Sequence, residues 1–192
     1  NGSLTGNPDG LNTIDPSSPQ SVVGGGRDNR IGALGPDNVL SGGAGNRIFD
    51  DVQGSALAGG ISNRIEDLCY YSFLGGGMNN RIIDTAWYTV LAGGESNSIN
   101  NAAHAVLGGG QSNRIEQGSL AVLAGGAGNR IDFAEAAALG GGLNNRICVF
   151  SEKAVLVQVF AGTDDLVPAT TRVRFLGKPL EMPLTPSILG RT

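Results

Sequence analysis

The side chains of this chain that could do chemistry are few, and most recur at fixed spacing. Arginine stands at Arg30, Arg47, Arg64, Arg81, Arg114, Arg130 and Arg146, and carboxylates follow at Asp50, Glu66 with Asp67, Asp84, Glu116 and Asp132. Such a column could bind an acidic polysaccharide. Stacked charges ~4.8 Å apart repel by about 1 kcal/mol per pair even in water, so a column of arginines needs partners. Where arginine is replaced by Ser98, the acid positions hold Asn100 and Asn101, so base and acid vanish together. That pattern favours a structural ion-pair ladder over an anion site.

The second constellation is aromatic. Tyr70, Tyr71 and Tyr88 are the three tyrosines and Trp87 is the one tryptophan, with Tyr70 and Trp87 17 residues apart and Tyr71 and Tyr88 likewise. Aromatic rings with polar tips suit sugar-binding surfaces, and they also plug interfaces between chains. If the chain binds a receptor, Tyr70, Tyr71, Trp87 and Tyr88 are the expected contact, with His104, the single histidine, at its margin. No Ser-His-Asp, Cys-His, zinc or phosphate-loop constellation is present, so no catalytic residue, metal or cofactor is expected and the chain reads as no enzyme. The two cysteines, Cys69 and Cys148, belong to repeats five asparagines apart, roughly 24 Å on a stack of ~4.8 Å rungs, and read as free thiols.

The elements that must position these residues are set by one motif, clearest at 106–115 as VLGGGQSNRI. Its asparagine recurs as Asn29, Asn46, Asn63, Asn80, Asn97, Asn113, Asn129 and Asn145, in steps of 17 and then 16. An aliphatic residue stands six positions before each asparagine, a Gly-Gly pair lies between, and Ile follows two positions after. A fixed period of this size indicates stacked repeats. Helix is excluded, because Gly-Gly in every repeat leaves no helical window and each interior glycine costs ~1 kcal/mol. Short strands joined by glycine corners remain, which is an all-β solenoid (β-roll or β-helix) of eight repeats.

Side chains alternate along a strand, so Asn113 and Ile115 share one face while Arg114 and Glu116 share the other. Stacked rungs then give an aliphatic column beside an asparagine ladder. The change from 17 to 16 falls between Ile and the next aliphatic residue, which places the tolerant loop there. A rung this thin reads as short of core when alone, so an intertwined homotrimer is expected.

Residues 1–21 lack the period and read as an N-terminal leader that enters or caps the stack, 22–150 are the repeats, and 151–192 form a C-terminal cap or extended arm. In that last segment 171–175 is strand-like, and Pro179, Pro183 and Pro186 argue against regular structure in 178–188. The start at Asn1 rather than Met reads as a fragment or processed product. A net charge of -4 argues against general affinity for nucleic acid, and no apolar run reaches the ~18 residues of a membrane-spanning helix.

The unit [VL]-[GAS]-G-G-x-x-N-R-I over 22–150 resembles the glycine-asparagine repeats of trimeric autotransporter adhesin heads and of phage tail fibres and spikes. The resemblance implies a trimeric β-solenoid on a virion or cell surface, attaching to a host glycan or protein receptor. A purely structural stalk is the competing expectation, and a polysaccharide-depolymerising tailspike built on two carboxylates ~5 to 9.5 Å apart is a weaker one. Calcium, as in nonapeptide rolls, is set aside because Arg47 follows the position of the metal-binding aspartate. Hexapeptide acyltransferase solenoids are set aside because the aliphatic spacing is six and then ten or eleven, not six throughout.

Overall fold

The computed structural model describes residues 3–4, 11–66, 68–133, 135–151, 154–159, 174–175 and 178–179, with side-chain surroundings over 11–66, 68–133 and 135–147. It divides into two units, Asn1–Gln158 and Val159–Thr192. The first is a β-solenoid. Nine strands, Ser3–Leu4 through Ala138–Leu139, form one parallel sheet, and ten, Thr13–Ile14 through Ala154–Val159, form another that is parallel as far as Asn145–Ser151; no helix occurs among the described residues. The repeats stack in register, with Leu40 opposite Leu57, Leu57 opposite Leu74, and Ile48 opposite Ile65.

The first rung lies inside the segment read as a leader. Thr13–Ile14 pairs in parallel with Arg30–Ile31, and the Asn12 side chain accepts from the Asn29 amide at 3.0 Å. Asn12-Thr13-Ile14 is thus a degenerate Asn-Arg-Ile, 17 residues before the first regular copy.

Each turn closes on its own core. Leu40, Leu57, Leu74, Leu91, Leu107 and Leu123 face inward on one sheet and Ile31, Ile48, Ile65, Ile82, Ile99, Ile115 and Ile131 on the other, all at 0–1% exposure. Val52, Cys69, Ala86 and Ala102 fill the short side between them. Cys69 is a buried thiol of this column, and the side chain of Cys148 lies outside the described residues. Each rung does bury few large apolar residues, one Leu and one Ile per turn, but a single chain already shields them from solvent, with asparagine, glycine and small residues filling the rest of the cross-section.

The corners are not made by glycine alone. In the turn 64–80, Leu68, Tyr71 and Asn79 adopt φ of 57°, 53° and 56°, and Gly76-Gly77 add a further bend. The left-handed region disfavours residues bearing a Cβ, yet here it recurs at equivalent positions through the stack. One such column runs Asp37, Gly54, Tyr71, Tyr88, His104, Leu120 and Ala136, all with φ between 53° and 62°. What stabilises them is a reversed amide. The Phe73 N–H donates to Thr89 O of the following rung at 2.8 Å, whereas the Tyr71 N–H donates back to Gln53 O at 2.9 Å.

The shortening from 17 to 16 residues is absorbed at one corner. The left-handed residue there is Leu34, Asp51 and Leu68 in longer turns, five after the asparagine, but Asn101, Gln117 and Phe133 in shorter ones, four after it. The turn between carries both, at Asp84 and Thr85. The variable segment is therefore a tight pair of bends, not an open loop.

In the second unit, Arg174–Phe175 pairs antiparallel with Lys178–Pro179. Pro179 thus lies in a short strand, against the expectation for 178–188. Proline lacks only the donor, and an edge position leaves that loss harmless. The remainder of the cap or arm read in 151–192 falls largely outside the described residues.

Candidate functional site

Two outward-facing constellations are built by this scaffold, and both depend on the asparagine ladder beneath them. In the turn of Asn97, the side-chain amide nitrogen donates to Gly93 O at 2.9 Å within the rung and to Gly110 O at 2.9 Å in the next, while its oxygen accepts from the Asn113 amide at 2.9 Å. The same three bonds repeat at Asn80 and Asn113. The second glycine of each pair is required by this geometry. A Cβ on Gly94 would stand 2.2 Å from Gly110 O and 2.7 Å from the Asn97 amide nitrogen.

The first constellation is aromatic and sits on a corner. Tyr71 stacks on Tyr88 at 5.3 Å between centroids and 14° between planes, and Tyr88 stacks on His104 at 5.3 Å and 15°. Tyr70 and Trp87 meet beside them at 6.0 Å, tilted by 32°. All five residues singled out in the sequence are brought together, and His104 belongs to the stack itself, not its margin. Tyr71, Trp87 and Tyr88 remain 51%, 44% and 54% exposed. The Trp87 indole N–H is satisfied by Leu68 O at 3.1 Å, which fixes the ring and leaves an apolar face as its exposed surface. Left-handed φ at Tyr71, Tyr88 and His104 aims successive rings along one line.

The second constellation is the arginine column, whose members are adjacent on the second sheet from Arg30 to Arg81 and from Arg114 to Arg146. Its acids divide by parity. Those two residues after the arginine point to the same face and pair: Glu66 with Arg81 at 2.8 Å, Glu116 with Arg114 at 2.8 Å and with Arg130 at 2.6 Å, and Asp132 with Arg130 and, at 2.6 Å, with Arg146. Those three residues after it do not. Asp50 accepts from the Ala33 amide at 2.8 Å, Asp84 lies at a left-handed corner, and Asp67 lies outside the described residues. The ion-pair ladder expected from the sequence is therefore continuous from Arg114 to Arg146 and isolated at Arg81. Among the described residues, Arg30, Arg47 and Arg64 make no ion pair.

A second ladder went unread in the sequence. Ser21, Asn38, Ser55, Ser72 and Thr89 are buried at the start of successive first-sheet strands, and Ser72 donates to Ala86 O at 2.9 Å in the next turn. Ala105, Ala121 and Ala137 follow in the shorter turns. The 16- and 17-residue spacing of these small residues was the available signal.

Among the described residues no group of three or more His, Cys, Asp or Glu side chains could hold a metal. Asp15 titrates below the usual carboxylate range, because the Ser17 hydroxyl and amide donate to it and Arg30 lies near.

No family model matches this sequence. Short stretches are similar to ATP synthase chains: the V-type beta chain of Thermotoga neapolitana, 50% identical over 46 residues, 24% of this chain and 10% of that one, and that of Nitrosococcus oceani, 61% over 41 residues, 21% and 9%. An A-type ATP synthase chain of Aeropyrum pernix is 56% identical over 36 residues, 19% of this chain and 8% of its own length. The chain spans about a tenth of the curated relatives it matches. Among solved structures it is similar to UDP-N-acetylglucosamine O-acyltransferase of Moraxella catarrhalis RH4, with a TM-score of 0.38 and 14% identity over 81% of this chain and 74% of that one. This match corrects the expectation that the chain is no enzyme, since the matched protein is an acyltransferase. A likeness of that degree assigns this chain no reaction.

Proposed function

We propose that this chain is a rigid segment of a surface fibre, displayed on a virion or cell surface, and that its aromatic corner contacts a host-surface glycan. The observation that carries this reading is the gathering of Tyr70, Tyr71, Trp87, Tyr88 and His104 on one corner, with three of the rings about half exposed while the core is filled elsewhere. Exposed rings held by a rigid frame offer apolar faces and polar tips to a sugar at little ordering cost.

In this reading copies associate as a homotrimer, supported by a column of apolar side chains on the outer face of the first sheet. Val22, Val39, Phe73, Val106 and Val122 stand there at 38–43% exposure, in register along the stack. Apolar strips of this kind mark association surfaces. The second reading is a purely structural stalk, favoured by the covering of both faces of Tyr88 by its neighbours.

A glycan array probed with the intact protein separates the two. Trp87→Ala should abolish the signal and leave the melting temperature nearly unchanged. Absence of glycan binding by the intact protein would leave the stalk, and retained binding by Trp87→Ala, or a loss of ~3 kcal/mol of stability as for a truncated core aromatic, would remove this corner as the receptor site.

A further inference from the structure

Arg30, Arg47 and Arg64 are successive members of the arginine column, exposed, and in register on one strand face. The outward positions two residues after them hold Gly32, Phe49 and Glu66. Gly32 and Phe49 bring no charge of their own; the Asp50 carboxylate lies where a Cβ on Gly32 would stand but is taken by the Ala33 amide at 2.8 Å, and Glu66 accepts from the Nε and a terminal nitrogen of Arg81, at 3.0 and 2.8 Å, instead of from Arg64. Asp15, which lies near Arg30, has one carboxylate oxygen held by the Ser17 hydroxyl at 2.6 Å and its amide at 2.9 Å. Further along the same column Arg114 and Arg130 share Glu116, and Arg130 and Arg146 share Asp132. Among the described residues the column is thus ion-paired from Arg114 to Arg146, while Arg30, Arg47 and Arg64 make no ion pair.

We propose that Arg30, Arg47 and Arg64 form a binding track for a linear acidic polysaccharide. Three guanidinium groups repeat at about the strand spacing of ~4.8 Å along the solenoid axis. Like charges so placed repel one another, and a polymer carrying anionic groups at one- or two-rung intervals converts that repulsion into attraction on all three. Guanidinium is suited to the task, since its fork donates paired N–H bonds to a carboxylate or sulfate. Phe49, half-buried in the outward column beside Arg47, supplies an apolar patch for a sugar ring. A net charge of -4 on the chain confines attraction to this strip and disfavours nucleic acid. The proposal stands independently of the aromatic corner.

The test is titration calorimetry of the full chain with polygalacturonate and with heparin, which separates carboxylate from sulfate recognition, alongside neutral dextran and duplex DNA. Wild type should bind at least one of the acidic polysaccharides, more weakly as salt rises. The double variant Arg47→Gln/Arg64→Gln should lose at least tenfold, while Arg81→Gln, whose guanidinium is already held by Glu66, should lose less than threefold. If the double variant folds poorly, the single variants Arg47→Gln and Arg64→Gln decide: weakened binding in each supports the track and unchanged binding in both overturns it. Absence of polysaccharide binding, equal loss in Arg81→Gln, or duplex DNA bound as tightly as either polymer also overturns it.

Discussion

The asparagine and the second glycine of each repeat form one device, and its two halves can be tested separately. Asn97→Ala would remove two donors and one acceptor inside the stack, leaving the carbonyls of Gly93 and Gly110 and the amide of Asn113 without those partners. Each unsatisfied buried group costs ~1 to 3 kcal/mol, so chemical denaturation should show a loss of about 3 kcal/mol or more. Gly94→Ala should be at least as damaging, because the new methyl would strike a carbonyl of the next rung at 2.2 Å and φ is +88°. Gly93→Ala, with its nearest contact at 3.7 Å, should be milder despite an unfavourable φ of +149°. Equal losses at the two glycines would contradict the clash as the cause. This device was legible in the sequence because both residues are invariant within the chain. The left-handed corners were not: Asp37, Gly54, Tyr71, His104 and Leu120 share a backbone conformation and no chemistry.

At the scale of the strand, parity decides which charges meet. Period-two alternation was enough to place Glu116 beside Arg114, and the same rule, applied to Asp50 and Asp84, would have removed them from the ladder. Weighing acids at both offsets alike makes the column look uniform, which it is not. Glu116 bridges Arg114 and Arg130, with arginine side chains 43% and 40% exposed, so solvent limits each pair to about 0.5 kcal/mol. A double-mutant cycle on Arg114→Ala and Glu116→Ala should show coupling of that size, the joint change being milder than the sum of the single ones. Strict additivity would dissolve the pairing. Asp132, whose side chain is fully buried between Arg130 and Arg146, should be the more sensitive position: Asp132→Ala should lower stability more than Glu116→Ala, as read from thermal melts.

For the whole solenoid, contacts run between neighbouring turns, so stability is a sum over rungs and interfaces between rungs. Removal of one complete 16-residue turn, 97–112, would bring Asn113 to the place of Asn97 with register intact. The shortened chain should keep its β-sheet circular dichroism and melt cooperatively at a modestly lower temperature; a collapsed or unfolded product would show that the turns are not interchangeable. Light scattering at micromolar concentration tests the proposed trimer, and Val106→Lys with Val122→Lys should dissociate it if the outer apolar column is its seam. The period made the solenoid readable, whereas the shielding of the core within one chain was not, because asparagine and glycine were not counted as filling.

Parallel stacking in register leaves the solenoid two open sheet ends, whatever the number of its turns. Some amides of each turn donate toward the later turn, as Phe73 does to Thr89 O, and others toward the earlier one, as Tyr71 does to Gln53 O, so each open end of a stack presents both donors and acceptors. The last strand of the nine-stranded sheet, Ala138–Leu139, has a neighbour on one side among the described residues. The two ends of such a body are mutually complementary, like the ends of a threaded rod, and complementary ends that do not close produce unlimited linear growth. A protein of this design stays finite only where something other than another rung occupies its ends, so whatever adjoins the terminal turns acts as a terminator of polymerisation before it serves any other purpose.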